Sequence, residues 1–322
     1  MRVVALDDYQ HVALGLLDLP ARVDAVAMPA HIDDEDELVS ALEGAGVVVA
    51  MRERTRLPGS VLSRLPNLRL LVTTGMGNAV IDLAAATEAG ICVCGTSGAL
   101  TPTSELTWGL IFALLRHIPT EDARIRAGGW QSTVGVGVAG KTLGLLGAGR
   151  LGKVVAEAAH AFRMPVIAWS QNLTAERSAA VGAELVTKEE LFTRADVVSI
   201  HLVLGDRTRR LVGEPELRAM KPTAFLINTS RGPIVDEAAL LRALQEGWIA
   251  GAGLDVFDTE PLPVDHPLRS APRTVLTPHL GYVTDDCYRV FYRDISEDIA
   301  AFAAGSPVRV LNPGWDTAAQ QR

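Results

Sequence analysis

The sequence predicts an α/β protein built from two doubly wound parallel sheets, and three observations support this. Short apolar runs of strand length alternate with segments of helical spacing along almost the whole chain. Such alternation is typical of parallel sheets whose two faces are covered by helices. The runs fall into two series, and a length of 322 residues fits two domains of about 150 residues each.

The first series of strands lies before residue 100. A helical pattern at Asp34–Leu42 separates two of its runs, which are Arg2–Leu6, Ala25–Met28, Val47–Ala50 and Leu70–Thr73. A further strand-like run contains Cys92 and Cys94, whose side chains should point to the same face. Their spacing is not that of a zinc or redox pair, so we expect buried free thiols, as in a reducing compartment.

The second series of strands follows a loop at Gly95–Pro102, where a helix begins at Thr101-Pro102. Its apolar runs are Thr142–Leu146, Val166–Ala168, Val197–Leu202, Ala224–Asn228, Gly251–Val256 and Thr274–Thr277. The helical pattern Asp286–Gly305 comes after them, and we expect it to return to the first domain. The predicted division is therefore 1–100 plus 285–322 for a first, discontinuous domain, and 101–284 for a second domain.

The composition excludes several classes of partner. The formal net charge of −8 argues against nucleic acid, because phosphate binding needs a basic surface. No apolar run reaches the roughly 18 residues that span a membrane. The amino terminus resembles a first strand and not a signal peptide. We therefore expect a cytoplasmic enzyme without a metal site.

A glycine-rich turn follows the first strand of the second series. Gly147 suits a tight turn, Gly149 lets a pyrophosphate approach the backbone, and Gly152 lets the next helix pack closely on the strand. Backbone N–H groups at the helix start, in Arg150-Leu151, suit phosphates. A structural turn is the alternative, but strand, turn and helix together favour a nicotinamide dinucleotide site of the Rossmann type.

The residue expected to contact the adenosine ribose is Ser170. A carboxylate is typical at this strand end, about 20 residues after the glycines, where it binds the ribose hydroxyls of NAD. Ser170 is followed by Gln171 and Asn172, and the nearest basic residue is Arg177. NAD and NADP both remain open as the cofactor.

Three strand ends in the second series carry ionisable residues that suit hydride-transfer chemistry. Arg231 can bind a carboxylate with two parallel hydrogen bonds. His279 can exchange a proton with the substrate oxygen, and Glu260 can fix its tautomer. Each residue alone could be structural, but together with the glycine turn they indicate a catalytic site.

These motifs resemble those of the D-isomer-specific 2-hydroxyacid dehydrogenase family, which includes D-3-phosphoglycerate and glyoxylate/hydroxypyruvate dehydrogenases. The resemblance covers nearly the whole chain, and its most specific parts are Gly147–Gly152, Arg231 with Val235-Asp236-Glu237, Asp255–Pro261, and Pro278-His279. It implies a flavodoxin-like substrate domain, a Rossmann domain and a homodimer.

The resemblance also implies residue roles in the second domain. Arg231 would bind the substrate carboxylate and carbonyl oxygen, His279 would be the acid/base and Glu260 its partner. Asp255 would contact the nicotinamide carboxamide. The remaining cofactor contacts would come from Gly147, Gly149, Arg150, Leu151, Gly152, Ser170, Asn228 and Thr229.

For the substrate, the family's carboxylate-binding loop matches Gly75-Met76-Gly77-Asn78, whose N–H groups would form an anion nest. Arg52 matches an arginine at the mouth of the substrate cleft in several members. Tyr282 and Met76 are expected to line that cleft.

The sequence departs from the family pattern at four positions. Ser170 replaces the aspartate of NAD-specific members, Val203 a usual proline, Pro233 a common glycine, and Gly77 an aspartate seen in many relatives. None of these changes removes a catalytic group. They leave the cofactor preference and the substrate open.

The sequence thus predicts an NAD(P)-dependent oxidoreductase that interconverts a D-2-hydroxy acid and its 2-oxo acid. The alternative from another class is a dinucleotide-sensing binding protein on the same scaffold, similar to corepressor relatives. A formate-dehydrogenase-like reaction is less favoured, because it would have glutamine in place of Glu260.

Overall fold

The computed structural model describes residues 1–99 and 101–316, which form two compact units. Of the described residues, unit 1 contains 1–99 and 284–316, and unit 2 contains 101–283. The predicted domain limit at residue 100 and the predicted domain residues 317–322 lie outside the described residues.

Unit 1 contains a five-stranded parallel sheet of strand order β2-β1-β3-β4-β5, the flavodoxin-like order. Its strands are β1 (Arg2–Ala5), β2 (Asp24–Ala27), β3 (Val47–Ala50), β4 (Leu70–Thr73) and β5 (Cys92–Gly95). The helices between them are α1 (Ala13–Leu16), α2 (Glu35–Ala41), α3 (Gly59–Leu62) and α4 (Leu83–Glu88). Every residue of β3, β4 and β5 is buried, as expected for strands covered on both faces.

Unit 2 contains a seven-stranded parallel sheet of order β12-β11-β10-β9-β6-β7-β8. The strands are β6 (Leu143–Leu146), β7 (Val166–Trp169), β8 (Glu184–Leu185), β9 (Val197–Ile200), β10 (Phe225–Asn228), β11 (Gly251–Leu254) and β12 (Thr274–Leu276). Strand order reverses between β6 and β9, and ligands of doubly wound sheets bind at such a switch point. The predicted fold class is therefore confirmed.

The helices of unit 2 cover both faces of this sheet. They are α5 (Thr101–Leu115), α6 (Ile118–Arg126), α7 (Arg150–Ala161), α8 (Ala175–Ala179), α9 (Lys188–Arg194), α10 (Glu214–Ala219) and α11 (Glu237–Glu246), with 3₁₀ turns at Gly232–Ile234 and Pro267–Ser270. Successive residues alternate between two cores: Val197 and Ile227 lie in one, Val198 and Leu226 in the other.

The last helix, α12 (Asp285–Ala303), belongs to unit 1. Thr284 caps it by accepting a hydrogen bond from the Cys287 N–H at 3.3 Å. The chain that follows it continues along β5, where Val93 donates its N–H to Asn312 and accepts from the N–H of Leu311, both at 2.8 Å. These bonds hold the carboxyl-terminal segment against the sheet of unit 1.

All three cysteines are buried and free, as the sequence predicts. The Cys92 and Cys94 sulfurs lie on one face of β5, 3.7 Å apart. No group of three or more metal-binding side chains occurs within residues 1–99 and 101–316. Of the helices described, none has the length and apolar character that crossing a bilayer would require.

Candidate active site

The glycine turn between β6 and α7 has the shape of a phosphate cradle. Gly147 has a φ of +101°, and a methyl group there would lie 2.6 Å from the His201 carbonyl oxygen. A methyl group on Gly152 would lie 2.3 Å from the Gly147 oxygen, whereas Gly149 faces open space. No side chain caps the α7 amino terminus at Gly149. The start of α7 thus offers both backbone N–H donors and open space for an anion, so the turn fits a dinucleotide pyrophosphate.

Ser170 directly follows β7 and lies at the edge of a pocket beside this turn. The pocket has a volume of about 150 Å³ and is bounded by the loops after β7 and β9. Its polar lining consists of Ser170, Gln171, Asn172, Arg207 and Thr208. None of its lining residues is acidic, so the carboxylate that would bind the ribose hydroxyls of NAD is absent from this pocket.

The three ionisable residues predicted for catalysis follow three adjacent strands. Asn228 at the end of β10 is aligned with Leu254 of β11, which is aligned with Leu276 of β12. Because these strands are parallel, their carboxyl ends share one edge of the sheet. Arg231, Glu260 and His279 therefore come from neighbouring loops.

The loop that carries Arg231 is fixed by its own side chains. Asn228 donates to the Arg231 carbonyl oxygen at 2.9 Å and accepts from the Ser230 N–H at 3.0 Å. The Thr229 hydroxyl lies 2.8 Å from that of Thr107 on α5. A methyl group on Gly232 would lie 2.0 Å from the Phe257 carbonyl carbon, so the Arg231 and Glu260 loops touch. Asn228 and Thr229 thus use their side chains to position the loop.

Glu260 and His279 form a directly hydrogen-bonded pair. Glu260 Oε2 lies 2.6 Å from His279 Nδ1, and Glu260 Oε1 accepts the Phe257 N–H at 2.9 Å. The carboxylate is thereby held in one orientation, and it lets Nδ1 carry a proton. The Nε2 atom, on the opposite side of the ring, is then the one available to exchange a proton with a ligand. The Tyr282 ring stands edge-on to this imidazole, with centroids 5.5 Å apart.

Asp255 fixes the backbone that carries His279. Its carboxylate accepts from the Thr277 hydroxyl at 2.6 Å and from the N–H groups of Leu280 and Gly281 at 2.7 and 2.9 Å. Burial raises the pKa of Asp255, and these hydrogen bonds oppose that effect. His279 has a φ of +54°, and its N–H donates to the Asp255 carbonyl oxygen at 2.8 Å. The left-handed backbone is held by these contacts.

Two other histidines in unit 2 have structural environments. His201 bonds to the Ser199 hydroxyl at 2.9 Å, and burial lowers its pKa to about 4. His266 pairs with Glu237 at 2.9 Å.

In unit 1, Arg52 and the Gly75–Asn78 loop lie side by side. A methyl group on Gly75 would lie 1.9 Å from Arg52 Nη1, so the guanidinium packs against this residue. Asn78 donates to the Arg52 carbonyl oxygen at 2.5 Å, and Arg52 has a φ of +52°. The structure thus brings together two of the segments predicted to bind substrate.

The same loop departs from the predicted anion nest at its first residue. The Gly75 N–H already donates to the Thr96 hydroxyl at 2.8 Å, so it is not free for an anion. Over the described chain, no acceptor is recorded for the N–H groups of Met76 and Gly77. Met76 is 58% exposed. The Gly75 N–H is therefore not available to the predicted anion nest, and the φ of +87° at Gly75 shapes the loop instead.

The sequence did not single out Arg207, which the structure places in the pocket beside Ser170. Arg207 follows β9, and only the strand order of the structure shows that β9 lies beside β6 and its glycine turn. The positioning contacts of Asp255 to Leu280 and Gly281 had no sequence signal, since they involve backbone atoms across two loops.

Comparisons with known proteins are consistent with this geometry. Residues 108–281 match the family model described as D-isomer specific 2-hydroxyacid dehydrogenase, NAD binding domain. The chain is 42% identical over 268 residues to a glyoxylate reductase of Aeropyrum pernix, covering 80% of each protein. It is 37% identical to a D-3-phosphoglycerate dehydrogenase of Bacillus subtilis, covering 80% of this chain and 50% of that one.

A solved structure shows the same fold. The crystal structure of a phosphoglycerate oxidoreductase from Vibrio cholerae O395 superposes with a TM-score of 0.90 at 34% identity, covering 95% of this chain and all of that one. These relatives are named as oxidoreductases, and the alternative of a sensing protein without turnover gains no support from them.

Proposed function

The chain belongs to the D-isomer specific 2-hydroxyacid dehydrogenase family, and from that premise we propose how its residues carry out the reaction. It is an NAD(P)-dependent oxidoreductase of this family. We propose that it reduces a small 2-oxo acid to the D-2-hydroxy acid, with glyoxylate as the first candidate because a relative at 42% identity is named glyoxylate reductase.

The observation that carries the proposal is the 2.6 Å contact between Glu260 and His279. With the Nδ1–H held by a carboxylate, Nε2 is the ring nitrogen left to face the substrate, and it can donate a proton to the substrate oxygen. The bound reduced cofactor supplies the hydride that adds to the carbonyl carbon. In the reverse direction His279 Nε2 accepts the proton from the hydroxyl group.

Arg231 is proposed to bind the substrate carboxylate and to polarise its carbonyl oxygen. It follows β10, next to the strand that precedes Glu260, and its backbone is fixed by Asn228. A planar guanidinium can present two parallel N–H donors to such an α-oxo acid. In unit 1 we propose that Arg52 and the N–H groups of Met76 and Gly77 bind substrate oxygens. Tyr282 is proposed to contact the substrate beside His279.

For the cofactor, we propose that Gly147, Gly149 and Gly152 shape the pyrophosphate cradle, with donors from Arg150 and Leu151. The open space at Gly149 and the uncapped start of α7 support this assignment. Ser170 is proposed to lie at the ribose. Asp255, Asn228 and Thr229 would border the nicotinamide through the loops that they hold.

The test measures oxidation of NADH and NADPH with glyoxylate, hydroxypyruvate and pyruvate. We expect turnover with at least one 2-oxo acid, and His279→Ala should lower kcat by roughly two to four orders of magnitude. Cofactor binding should stay nearly intact, because the glycine turn is unaltered. Turnover of His279→Ala near that of the wild type would refute the assignment.

His266→Ala provides the matched control. Like His279, His266 lies in unit 2 and pairs with a glutamate, Glu237, at 2.9 Å. Like Glu260, it lies in the loop after β11. Its replacement removes a histidine–glutamate contact without touching the proposed site. We expect its kcat to stay within about twofold of the wild type, as for substitutions away from a site.

We further propose a homodimer formed through α6 and its surroundings. No residue of α6 is buried, and Ile118, Ile125 and Trp130 are 51%, 54% and 71% exposed. They border a concavity of about 690 Å³ that also contains Arg116 and Glu121. An apolar surface with charges of both signs can pair with a second copy of itself. Light scattering should give a dimer, and Ile125→Glu a monomer; a monomeric wild type would refute this.

Cytoplasmic location is proposed as well. Cys92 and Cys94 lie 3.7 Å apart as free thiols, which agrees with a reducing compartment. Subcellular fractionation tests this, and recovery outside the cytoplasm would refute it.

A further inference from the structure

We propose that Arg207 binds the 2′-phosphate of NADP(H), so that this chain prefers NADP(H) to NAD(H). The inference rests on the proposed function, because it concerns the adenosine end of the same cofactor site.

The strand order determines where the Arg207 loop lies relative to the glycine turn. β6 lies between β9 and β7, so the glycine turn after β6 has the β9 loop on one side and the β7 loop on the other. A dinucleotide with its pyrophosphate at this turn has its adenosine ribose at the end of β7. Arg207 and Ser170 border the same pocket there, of about 150 Å³. A phosphate on the ribose 2′ oxygen would therefore be within the reach of Arg207.

The turn that carries Arg207 is ordered by hydrogen bonds of its own. The Thr208 hydroxyl accepts the Gly205 N–H at 2.9 Å and donates to the Val203 carbonyl oxygen at 2.7 Å. The N–H groups of Thr208 and Arg209 both donate to the Gly205 carbonyl oxygen, at 3.0 and 2.9 Å. The backbone at Arg207 is thus fixed without any contribution from its side chain.

The charges of the pocket favour a phosphate over a ribose hydroxyl. An NAD-specific site of this fold places a carboxylate at the end of the second strand, where it accepts from the ribose hydroxyls and repels a phosphate. This chain has Ser170 there, with the amides of Gln171 and Asn172 after it, and the pocket lining has no carboxylate. Serine and amide groups can donate to phosphate oxygens.

Arg207 is also available as a phosphate ligand. Its side chain is exposed, and within the described residues it forms no ion pair and no hydrogen bond. Arg177, the other basic residue near this strand end, donates to the Asn172 carbonyl oxygen at 3.5 Å and does not line the pocket. A guanidinium with free donors can bind phosphate through two parallel hydrogen bonds.

The test compares the binding of 2′,5′-ADP and 5′-ADP to the purified protein by calorimetry, without substrate or turnover. We expect the wild type to bind 2′,5′-ADP at least about tenfold more tightly, since hydrogen bonds between charged groups are the strong ones. Arg207→Ala should weaken 2′,5′-ADP binding by about ten- to a hundredfold and leave 5′-ADP binding within about twofold. Arg207→Lys should retain part of the preference.

Arg209→Ala is the matched control, because Arg209 is exposed in the same turn but does not line the pocket. It should bind both nucleotides as the wild type does. Ser170→Asp should abolish the preference for 2′,5′-ADP through charge repulsion.

The possible results separate this inference from the proposed function. Equal binding of the two nucleotides by the wild type would overturn the preference and leave the dinucleotide site standing. A loss of the preference in Arg177→Ala but not in Arg207→Ala would overturn the assignment to Arg207. Failure of the wild type to bind either nucleotide would overturn the dinucleotide site itself, and this inference with it.

Discussion

Replacement of Glu260 by glutamine tests the histidine–glutamate pair with a nearly isosteric side chain. In the wild type, Glu260 Oε1 accepts from the Phe257 N–H at 2.9 Å, and Oε2 lies 2.6 Å from His279 Nδ1. A glutamine has only one acceptor oxygen. If that oxygen faces Phe257, the amide NH₂ faces Nδ1 and opposes a proton there. If it faces Nδ1, the NH₂ opposes the Phe257 N–H. In the first orientation the amide can donate only to a neutral ring that carries its proton on Nε2, so the imidazolium loses its partner, and in the second the hydrogen bond with Phe257 is lost.

The hydrogen bonds of Glu260 set the size of the expected fall in kcat/KM. A hydrogen bond that involves a charged partner contributes about 1.5–3 kcal/mol, and the imidazolium that donates the proton loses its counter-charge in the variant. At 1.36 kcal/mol per tenfold, kcat/KM for 2-oxo acid reduction should fall by about ten- to a hundredfold. The assay follows the absorbance of the reduced cofactor, and cofactor affinity is measured separately by fluorescence.

Glu237→Gln is the control for this variant. It makes the same chemical change in the pair formed by Glu237 and His266, which are 2.9 Å apart and similarly exposed. We expect its kcat/KM to stay within about twofold of the wild type. Wild-type kcat/KM in Glu260→Gln, or an equal fall in both variants, would show that the Glu260–His279 contact has no specific part in turnover.

Three further perturbations test other parts of the structure. Arg231→Lys should lower kcat/KM with 2-oxo acids by at least about tenfold, because an ammonium cannot reproduce the planar pair of donors; unchanged kinetics would contradict the role. Gly152→Ala should lower the melting temperature, since its methyl group would lie 2.3 Å from the Gly147 oxygen, whereas Gly149→Ala should keep that temperature and weaken NAD(P)H binding. Burial lowers the pKa of His201 to about 4, so the unfolded chain takes up a proton near its usual 6.5 while the folded chain stays neutral. Thermal stability should fall as the pH drops from 6.5 towards 4, and His201→Gln should flatten this dependence.

The sequence predicted the strands well because parallel strands in this fold are buried on both faces. Their bounds agree with the prediction to within two residues, and β3 and β4 agree at both ends. The strand that it missed, β8, consists of Glu184 and Leu185, and both are exposed. Hydrophobic pattern carries no signal for such an edge strand. Its place is set by pairing with β7, which is a tertiary effect.

For the candidate site too, the sequence shows which side chains are present but not how the backbone places them. Ionisable residues at strand ends are visible in a sequence, and Arg231, Glu260 and His279 were identified on that basis. Arg207 was not, because its importance depends on the adjacency of β6 to β9 and not on its neighbours in sequence. The Gly75 N–H was assigned to an anion nest, and its actual acceptor, Thr96, lies 21 residues away.

Asp255 shows why the orientation of His279 in particular could not be read from the sequence. Left-handed backbone is uncommon for residues other than glycine, and nothing near His279 in the sequence marks its φ of +54°. The conformation requires that Leu280 and Gly281 direct their N–H groups at one carboxylate, and the Asp255 main chain also accepts the His279 N–H. Asp255 stands 24 residues before His279, on the neighbouring strand. The imidazole is thus oriented towards Glu260 by a carboxylate that forms no hydrogen bond with the ring, so the pair depends on the ends of two strands, β11 and β12, and on Asp255 as well as on its own two residues.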